Sequence, residues 1–264
     1  MESNIPAIAS SDRRATDAPA TRPRVQIDSI AVDDIGFEGT VETIAGWARE
    51  GSGGYVVTTN VDYVVRAHRD PSFRAIIDGA RLRVPDGMGV VYGARLAGSP
   101  LRGSITGRLL PAALARHPDR LRLALMGGLP GATQPAAQRL RELGGDVRAA
   151  TSPPMGFAIG GEADQAAVRL LADADPQVLF VGLGSPKQDR WMARHAAALP
   201  RTVMVGIGQA IDVLGGRQPV APAWMTRVGL EWAYRLVHDP RRLARRYLWD
   251  DPRFFWWMLR ARRK

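Results

Sequence analysis

Three apolar runs in this chain close in the same way, on glycine: Met126-Gly127-Gly128, Val181-Gly182-Leu183-Gly184 and Val205-Gly206-Ile207-Gly208. A short aliphatic run that ends in glycine and leads into an amphipathic stretch describes a strand buried on both faces, with a sharp turn at its carboxyl end. The apolar runs, these three among them, are Tyr55-Val56-Val57-Thr58-Thr59, Leu82-Arg83-Val84, Leu121 to Met126, Val147 to Ala150, Val178 to Val181 and Val203 to Val205. Order is expected to start at Val25-Gln26-Ile27, with a helix near Phe37 to Glu50 that Gly51-Ser52-Gly53-Gly54 terminates. Strands alternating with helices predict an α/β fold, a Rossmann-like, mostly parallel sheet flanked by helices. Such sheets bind ligands at the carboxyl ends of their strands, where these glycines fall.

With 264 residues, the chain is long enough for one large domain and a modest appendage. Residues 1–23, rich in Ser, Ala, Asp, Thr and Pro without apolar periodicity, read as a disordered leader. The α/β core is expected over 24–220, and a basic, aromatic, helical appendage over 221–264. There is no cysteine, which removes disulfides and thiolate metal sites and fits a reducing compartment. No apolar run reaches the length of a membrane span, and none follows Arg13-Arg14 as a secretory signal requires. A cytoplasmic protein is the expectation.

The net charge of +10 is unevenly placed, with nine basic and two acidic residues between Arg241 and Lys264. Five of the seven tryptophans lie beyond residue 220. Such a segment suits an anionic membrane, phosphate-bearing ligands or nucleic acid. Asp239-Pro240 and Asp251-Pro252 each place a capping residue before a proline suited to the first helical position, predicting helices over Pro240–Leu248 and Pro252–Arg263.

Three segments are candidates for chemistry. Thr58-Thr59-Asn60 puts hydroxyl and amide groups at a strand end, to contact a nucleotide or sugar or simply to cap the next helix. In Val84-Pro85-Asp86-Gly87-Met88-Gly89, Asp86 sits in a sharp turn after a buried strand. A carboxylate there can act as general base on a sugar hydroxyl, or only bond its own turn. Gly182-Leu183-Gly184-Ser185-Pro186-Lys187-Gln188-Asp189 can offer backbone N–H groups to a phosphate, with Gln188 in the first helical turn, or be a plain loop. It matches neither the dinucleotide fingerprint nor the P-loop. The four histidines are scattered, and Asp173-Ala174-Asp175 precedes its strand, so no metal site and no cofactor are expected.

Taken in order, these segments resemble the WecG/TagA/CpsF family of bacterial glycosyltransferases, from about Val25 to Tyr247. The resemblance rests on Thr58-x-Asn60, Pro85-Asp86-Gly87, Gly182-Leu183-Gly184-x-Pro186-Lys187-Gln188 and Gly206-x-Gly208 leading to Asp212. It continues through Ala221-Pro222, Gly229-Leu230-Glu231-Trp232, Arg235 and Pro240-x-Arg242-x-x-Arg245-Arg246-Tyr247. The family implies inverting transfer from a UDP-sugar donor to a polyprenyl-diphosphate-linked sugar acceptor, in surface or exopolysaccharide synthesis, with UDP-glucose and UDP-N-acetylmannosamine both open as donors. Asp86 then corresponds to the catalytic base, and Thr58, Asn60 and Gln188 to pocket residues. Arg235, Arg242 and Arg245 correspond to arginines that the appendage brings to the diphosphate, a role that suits bidentate guanidinium groups.

The chain departs from the family pattern at Ser104 and Leu109, where an arginine and an acidic residue are usual, and carries Asp189 for the usual glutamate. Arg102 and Arg108 are neighbouring sources of the missing positive charge.

Trp249, Phe254, Phe255, Trp256, Trp257 and Arg260 form an aromatic–cationic segment suited to a headgroup zone. The expectation is a peripheral protein on the inner face of the cytoplasmic membrane, with no nucleic-acid partner. The alternative is that these aromatics pack on the domain or on a second protomer, which leaves homo-oligomerisation open. The rival to an enzyme is a non-catalytic nucleotide-binding protein whose basic tail meets nucleic acid or membrane.

Overall fold

The computed structural model describes residues 22–222, 225, 231–238, 244 and 251–261. The leader expected over residues 1–23 (Arg22 and Pro23 excepted), the helix expected over Pro240–Leu248 (Ala244 excepted), and Arg242, Arg245 and Trp249 lie outside the described residues.

Six strands form one parallel sheet: β3 (Gly54–Thr59), β4 (Leu82–Pro85), β5 (Arg122–Gly127), β6 (Asp146–Thr151), β7 (Val178–Gly182) and β8 (Val203–Gly206). Their order is β4-β3-β8-β7-β5-β6. Alternate residues of each central strand enter opposite layers. Val57, Ala124 and Leu179 join one apolar cluster, while Val56, Leu123 and Phe180 join the other. Both faces are therefore covered, which is why these strands read as continuous apolar runs.

One layer holds α1 (Gly36–Arg49), α5 (Leu110–Ala115), α6 (Thr133–Glu142) and α9 (Ala210–Leu214). The other holds α2 (Val61–Arg69), α3 (Pro71–Asp78), α4 (Met88–Leu96), α7 (Glu162–Asp173) and α8 (Lys187–His195). The order reverses between the β3–β4 pair and the β5–β6 pair, with β7 and β8 inserted between them, so the carboxyl ends of β3, β8 and β7 border a topological crevice.

The first strand is not part of this sheet. β1 (Arg24–Ile27) pairs antiparallel with β2 (Ile30–Asp33), across a turn in which Asp28 takes φ 50°. The sequence reading did not include β2. Its Asp33 is fully buried, accepting from Arg24 Nε at 3.0 Å and from the Arg83 backbone N–H at 2.9 Å, so the ribbon is fastened to β4 by a buried carboxylate.

Beyond the core lie α10 (Glu231–His238) and α11 (Asp251–Ala261). α11 falls where the Pro252–Arg263 helix was expected, with Pro252 in its first turn. Phe254 and Met258, one helical turn apart, are fully buried against α2 and α4. A Cβ placed on Gly93 would overlap the Phe254 ring, so glycine is what lets α11 lie close on α4. Trp257 stacks on His68 of α2 with ring centroids 4.1 Å apart. No helix among the described residues is long and apolar enough to cross a membrane.

Candidate active site

Thr58, Asn60, Asp86 and Gln188 lie at the carboxyl ends of β3, β4 and β7, beside the end of β8. Parallel pairing sets Thr59 opposite Pro85, so Asn60 and Asp86 emerge side by side from adjacent strands. The strands are stitched at this point by Asp86 N–H donating to Thr59 O at 2.7 Å and Ile105 N–H to Pro85 O at 2.8 Å.

Asp86 is half-buried, and its Oδ1 accepts from the Gly107 N–H at 3.1 Å. That bond arrives from the helical turn Gly107–Leu109, which folds over the strand end and also carries Arg108. The Gly107 N–H anchors one carboxylate oxygen, and a carboxylate anchored at a strand end can take a proton from a hydroxyl. Gly87, the next residue, adopts φ 87°, a conformation that favours glycine, and its N–H donates to Ser104 Oγ at 2.6 Å. Ser104 therefore braces the Asp86 turn, donating in its own right to Ile105 O at 2.9 Å.

Arg102 takes its positive charge elsewhere. Its backbone N–H meets both oxygens of Asp34 at 3.2 Å, and its guanidinium pairs with the same carboxylate at 3.8 Å. Of the two sources of compensating charge, only Arg108 shares a turn with the donor to Asp86.

Asn60 caps α2, its Oδ1 accepting from Asp62 N–H at 3.0 Å and Tyr63 N–H at 3.4 Å. The capping alternative thus accounts for its oxygen. Its amide nitrogen has no hydrogen-bond partner among the described residues. Thr58 is buried, and its hydroxyl donates to Gly206 O at 2.9 Å, tying β3 to the end of β8. Its methyl packs beneath Gly107, where a Cβ would lie 3.0 Å from Thr58 Cγ2. In this structure Thr58 shapes the floor of the crevice.

Gln188 is also buried, and both ends of its amide are engaged. Nε2 donates to the Tyr63 hydroxyl at 2.9 Å, and Oε1 accepts from the Gly208 N–H at 3.1 Å. Tyr63 in turn donates to Asp189 Oδ1 at 2.9 Å. Burial pushes the Asp189 carboxyl up from 3.8 to about 6, and raises Tyr63 well above its ordinary value as well. The Ser185 hydroxyl lies beside the carboxylate and holds that rise down, although its geometry falls short of a full hydrogen bond. Sequence reasoning missed Tyr63 entirely, because a tyrosine in an amphipathic helix reads as core.

The glycine turns pack on one another. A Cβ on Gly182 would lie 2.8 Å from Gly208 O, and Gly128 N–H donates to Gly182 O at 2.8 Å. Asp212, raised above its ordinary value by burial, accepts from Leu129 N–H at 2.6 Å and so fastens the β5 turn to α9. These glycines permit a close three-loop floor. Among the described residues no three histidine, aspartate or glutamate side chains group as metal ligands.

Arg235 belongs to α10, but its side chain is outside the described residues, as are Arg242 and Arg245. Of the aromatic segment, Phe254 is a core residue, Phe255 and Trp257 are partly covered, and Trp256 is half-exposed. Arg260 lies over the Trp256 ring at 3.6 Å, and Leu259 is exposed beside it in sequence. The aromatic cluster therefore divides, with one side on the domain and one side outward. Burial removes Phe254 from the residues that can reach a membrane while α11 is docked.

Comparison with known proteins gives a consistent picture. The family model described as the glycosyl transferase WecG/TagA/CpsF family matches residues 25–264. Relatives named N-acetylglucosaminyldiphosphoundecaprenol N-acetyl-beta-D-mannosaminyltransferase occur in several bacteria. The one from Bacillus spizizenii is 29% identical over 228 residues, covering 85% of this chain and 86% of the relative. Those from Bacillus subtilis and Staphylococcus aureus are each 29% identical, over 199 and 217 residues, covering 73% and 80% of this chain and 75% and 81% of the relatives.

Proposed function

Because the chain belongs to the WecG/TagA/CpsF family of glycosyl transferases, we propose that it transfers a hexose or N-acetylhexosamine from a UDP-sugar to a sugar carried on a polyprenyl diphosphate, with inversion. The observation that carries this reading is the placement of Asp86 beside Asn60 at the crevice, anchored through one oxygen by Gly107 N–H. The names of the bacterial relatives support a diphosphoundecaprenol-linked acceptor and an N-acetylmannosaminyl donor group.

In this reading Asp86 accepts the proton of the acceptor hydroxyl as its oxygen attacks the anomeric carbon. The new carbon–oxygen bond forms as the bond to the donor diphosphate breaks, and the electron pair leaves with UDP. The Asn60 amide nitrogen orients a substrate oxygen, while Thr58 and Gln188 shape the floor. Charge develops on the departing diphosphate, and Arg235, Arg242 and Arg245 are the guanidinium groups assigned to it. The acceptor is lipid-borne, so the outward side of α11, Trp256 and Arg260 with Leu259, is assigned to the membrane surface on the cytoplasmic side.

The test is UDP release from a panel of UDP-sugars, with a diphosphate-linked monosaccharide acceptor in detergent or bilayers. Acceptor-dependent release from one donor supports the proposal. A non-catalytic nucleotide-binding protein would bind UDP-sugars and release none, with or without divalent metal.

A further inference from the structure

Buried beneath the glycine turns is a run of hydrogen bonds with a fixed direction. An ionised carboxylate can only accept, so Tyr63 must donate to Asp189 Oδ1. The Tyr63 oxygen then accepts from Gln188 Nε2, and that fixes which end of the Gln188 amide faces Gly208. With Nε2 turned toward Tyr63, Oε1 must face the Gly208 N–H, and a flipped amide would set donor against donor.

From this geometry we propose that Asp189 and Tyr63 are positioning residues for the transfer site. They fix the polarity of the Gln188 amide and thereby hold the turn Gly206–Gly208, against which the nucleoside-diphosphate sugar binds. The inference rests on the proposed function for its ligand, but its structural content concerns this chain alone.

Three further observations support it. The turn so held is the one that Thr58 grips from the opposite side through Gly206 O, and Thr58 also lies under Gly107, the donor to Asp86. A shift at Gly208 is therefore passed toward the carboxylate at the crevice. Next, Gly206 approaches Gln188 so closely that a Cβ would lie 3.0 Å from Nε2, leaving the amide little room to adapt. Finally, Asp189 is fully buried with its second oxygen unpartnered, an arrangement an apolar residue would make cheaper.

The groups facing Asp189 are few. Tyr63 and Arg66 face it from α2, Tyr55 acts on it from β3, and Ser185 lies in the preceding loop. Arg66 favours the ionised form, and burial opposes it. On its own helix, Arg190 is paired outward with Asp70 at 3.7 Å. Protonation of Asp189 is thus the event that would loosen the chain, since a carboxylic acid can donate to the Tyr63 oxygen and compete there with Gln188 Nε2.

The experiment uses full-length protein labelled with 15N-glycine, with the Gly208 amide followed from pH 5 to 8, alongside donor KM and kcat. In the wild type the Gly208 signal should move with a midpoint near pH 6, and donor KM should rise on the acid side. Asp189→Asn and Tyr63→Phe should abolish that titration, and Tyr63→Phe should raise donor KM about fivefold at pH 7.5, the loss of one hydrogen bond, with kcat changed less. Asp189→Glu, which keeps the carboxylate, should restore the titration. A Gly208 signal that titrates unchanged in Asp189→Asn, or is insensitive to Tyr63→Phe, would overturn the proposal. Should the wild type consume no UDP-sugar, the functional reading fails while the Gly208 titration still decides the polarity of the chain.

Discussion

Replacing Gly93 by alanine isolates the contact that docks α11. The added methyl would overlap the Phe254 ring and stand 3.4 Å from Met258 Cγ, whereas carbon atoms rest at about 3.5–4.0 Å. Gly93 lies in the middle of α4, so its backbone cannot retreat without disturbing a helix that starts at the Asp86 turn. The strain falls on α11, which among the described residues packs chiefly on α4 and α2. Overpacking of this kind costs about 1–3 kcal/mol, which lowers the docked-to-undocked ratio about 5- to 150-fold. The core should remain folded, because alanine is favourable within a helix.

Limited proteolysis with trypsin, read by intact mass, should show faster cleavage between the core and α11 in Gly93→Ala, with an unchanged melting temperature for the core. Tryptophan emission should shift to the red as Trp257 leaves His68. Trimming the ring in Gly93→Ala/Phe254→Leu should recover part of the protection, a coupling expected only of residues in contact. Equal protease resistance in wild type and Gly93→Ala would refute the packing argument.

Asp189 sets a pH dependence of stability. Its folded value near 6 lies above the ordinary 3.8, so the support it gives the fold is full below about pH 4 and is lost as pH rises through 6. The loss is about 3 kcal/mol. The melting-temperature difference of Asp189→Asn over wild type should therefore grow from pH 4.5 to 7, and a constant difference would contradict this. Thr58→Val should lose about 1 kcal/mol in urea denaturation through the bond to Gly206 O. Ser104→Ala should leave the Gly87 N–H to water and lower kcat severalfold with little change in melting temperature. On vesicles containing anionic lipid, Arg260→Gln should weaken sedimentation about fivefold, the worth of one basic residue near the surface.

Much of the architecture is legible because two-sided burial writes itself into sequence as unbroken apolar runs, as in Val178-Leu179-Phe180-Val181. The ribbon strand Ile30–Asp33 was not legible. It is four residues long, and its place depends on Asp33 meeting Arg83, fifty positions away. The crevice was legible through the glycines and through Asp86, but the use of each polar atom was not. Asn60 and Gln188 look alike in sequence as amides near strand ends, yet one caps a helix and the other bridges Tyr63 to Gly208. Ser104 registers in the sequence only as a missing arginine. Its contact with Gly87 depends on the Asp86–Ile105 bridge, which no local pattern announces. Phe254 fits a membrane anchor by composition, and its place in the core comes from packing on α2 and on the bare surface of Gly93 in α4.

The central claim is tested most directly by comparing wild type with Asp86→Asn for acceptor-dependent UDP release from the preferred UDP-sugar, with folding checked by melting temperature. The account predicts rapid release by the wild type and a loss of at least about 100-fold in kcat for Asp86→Asn at equal stability, the lower range for removal of a general base. Undiminished release by a folded Asp86→Asn protein would contradict the account.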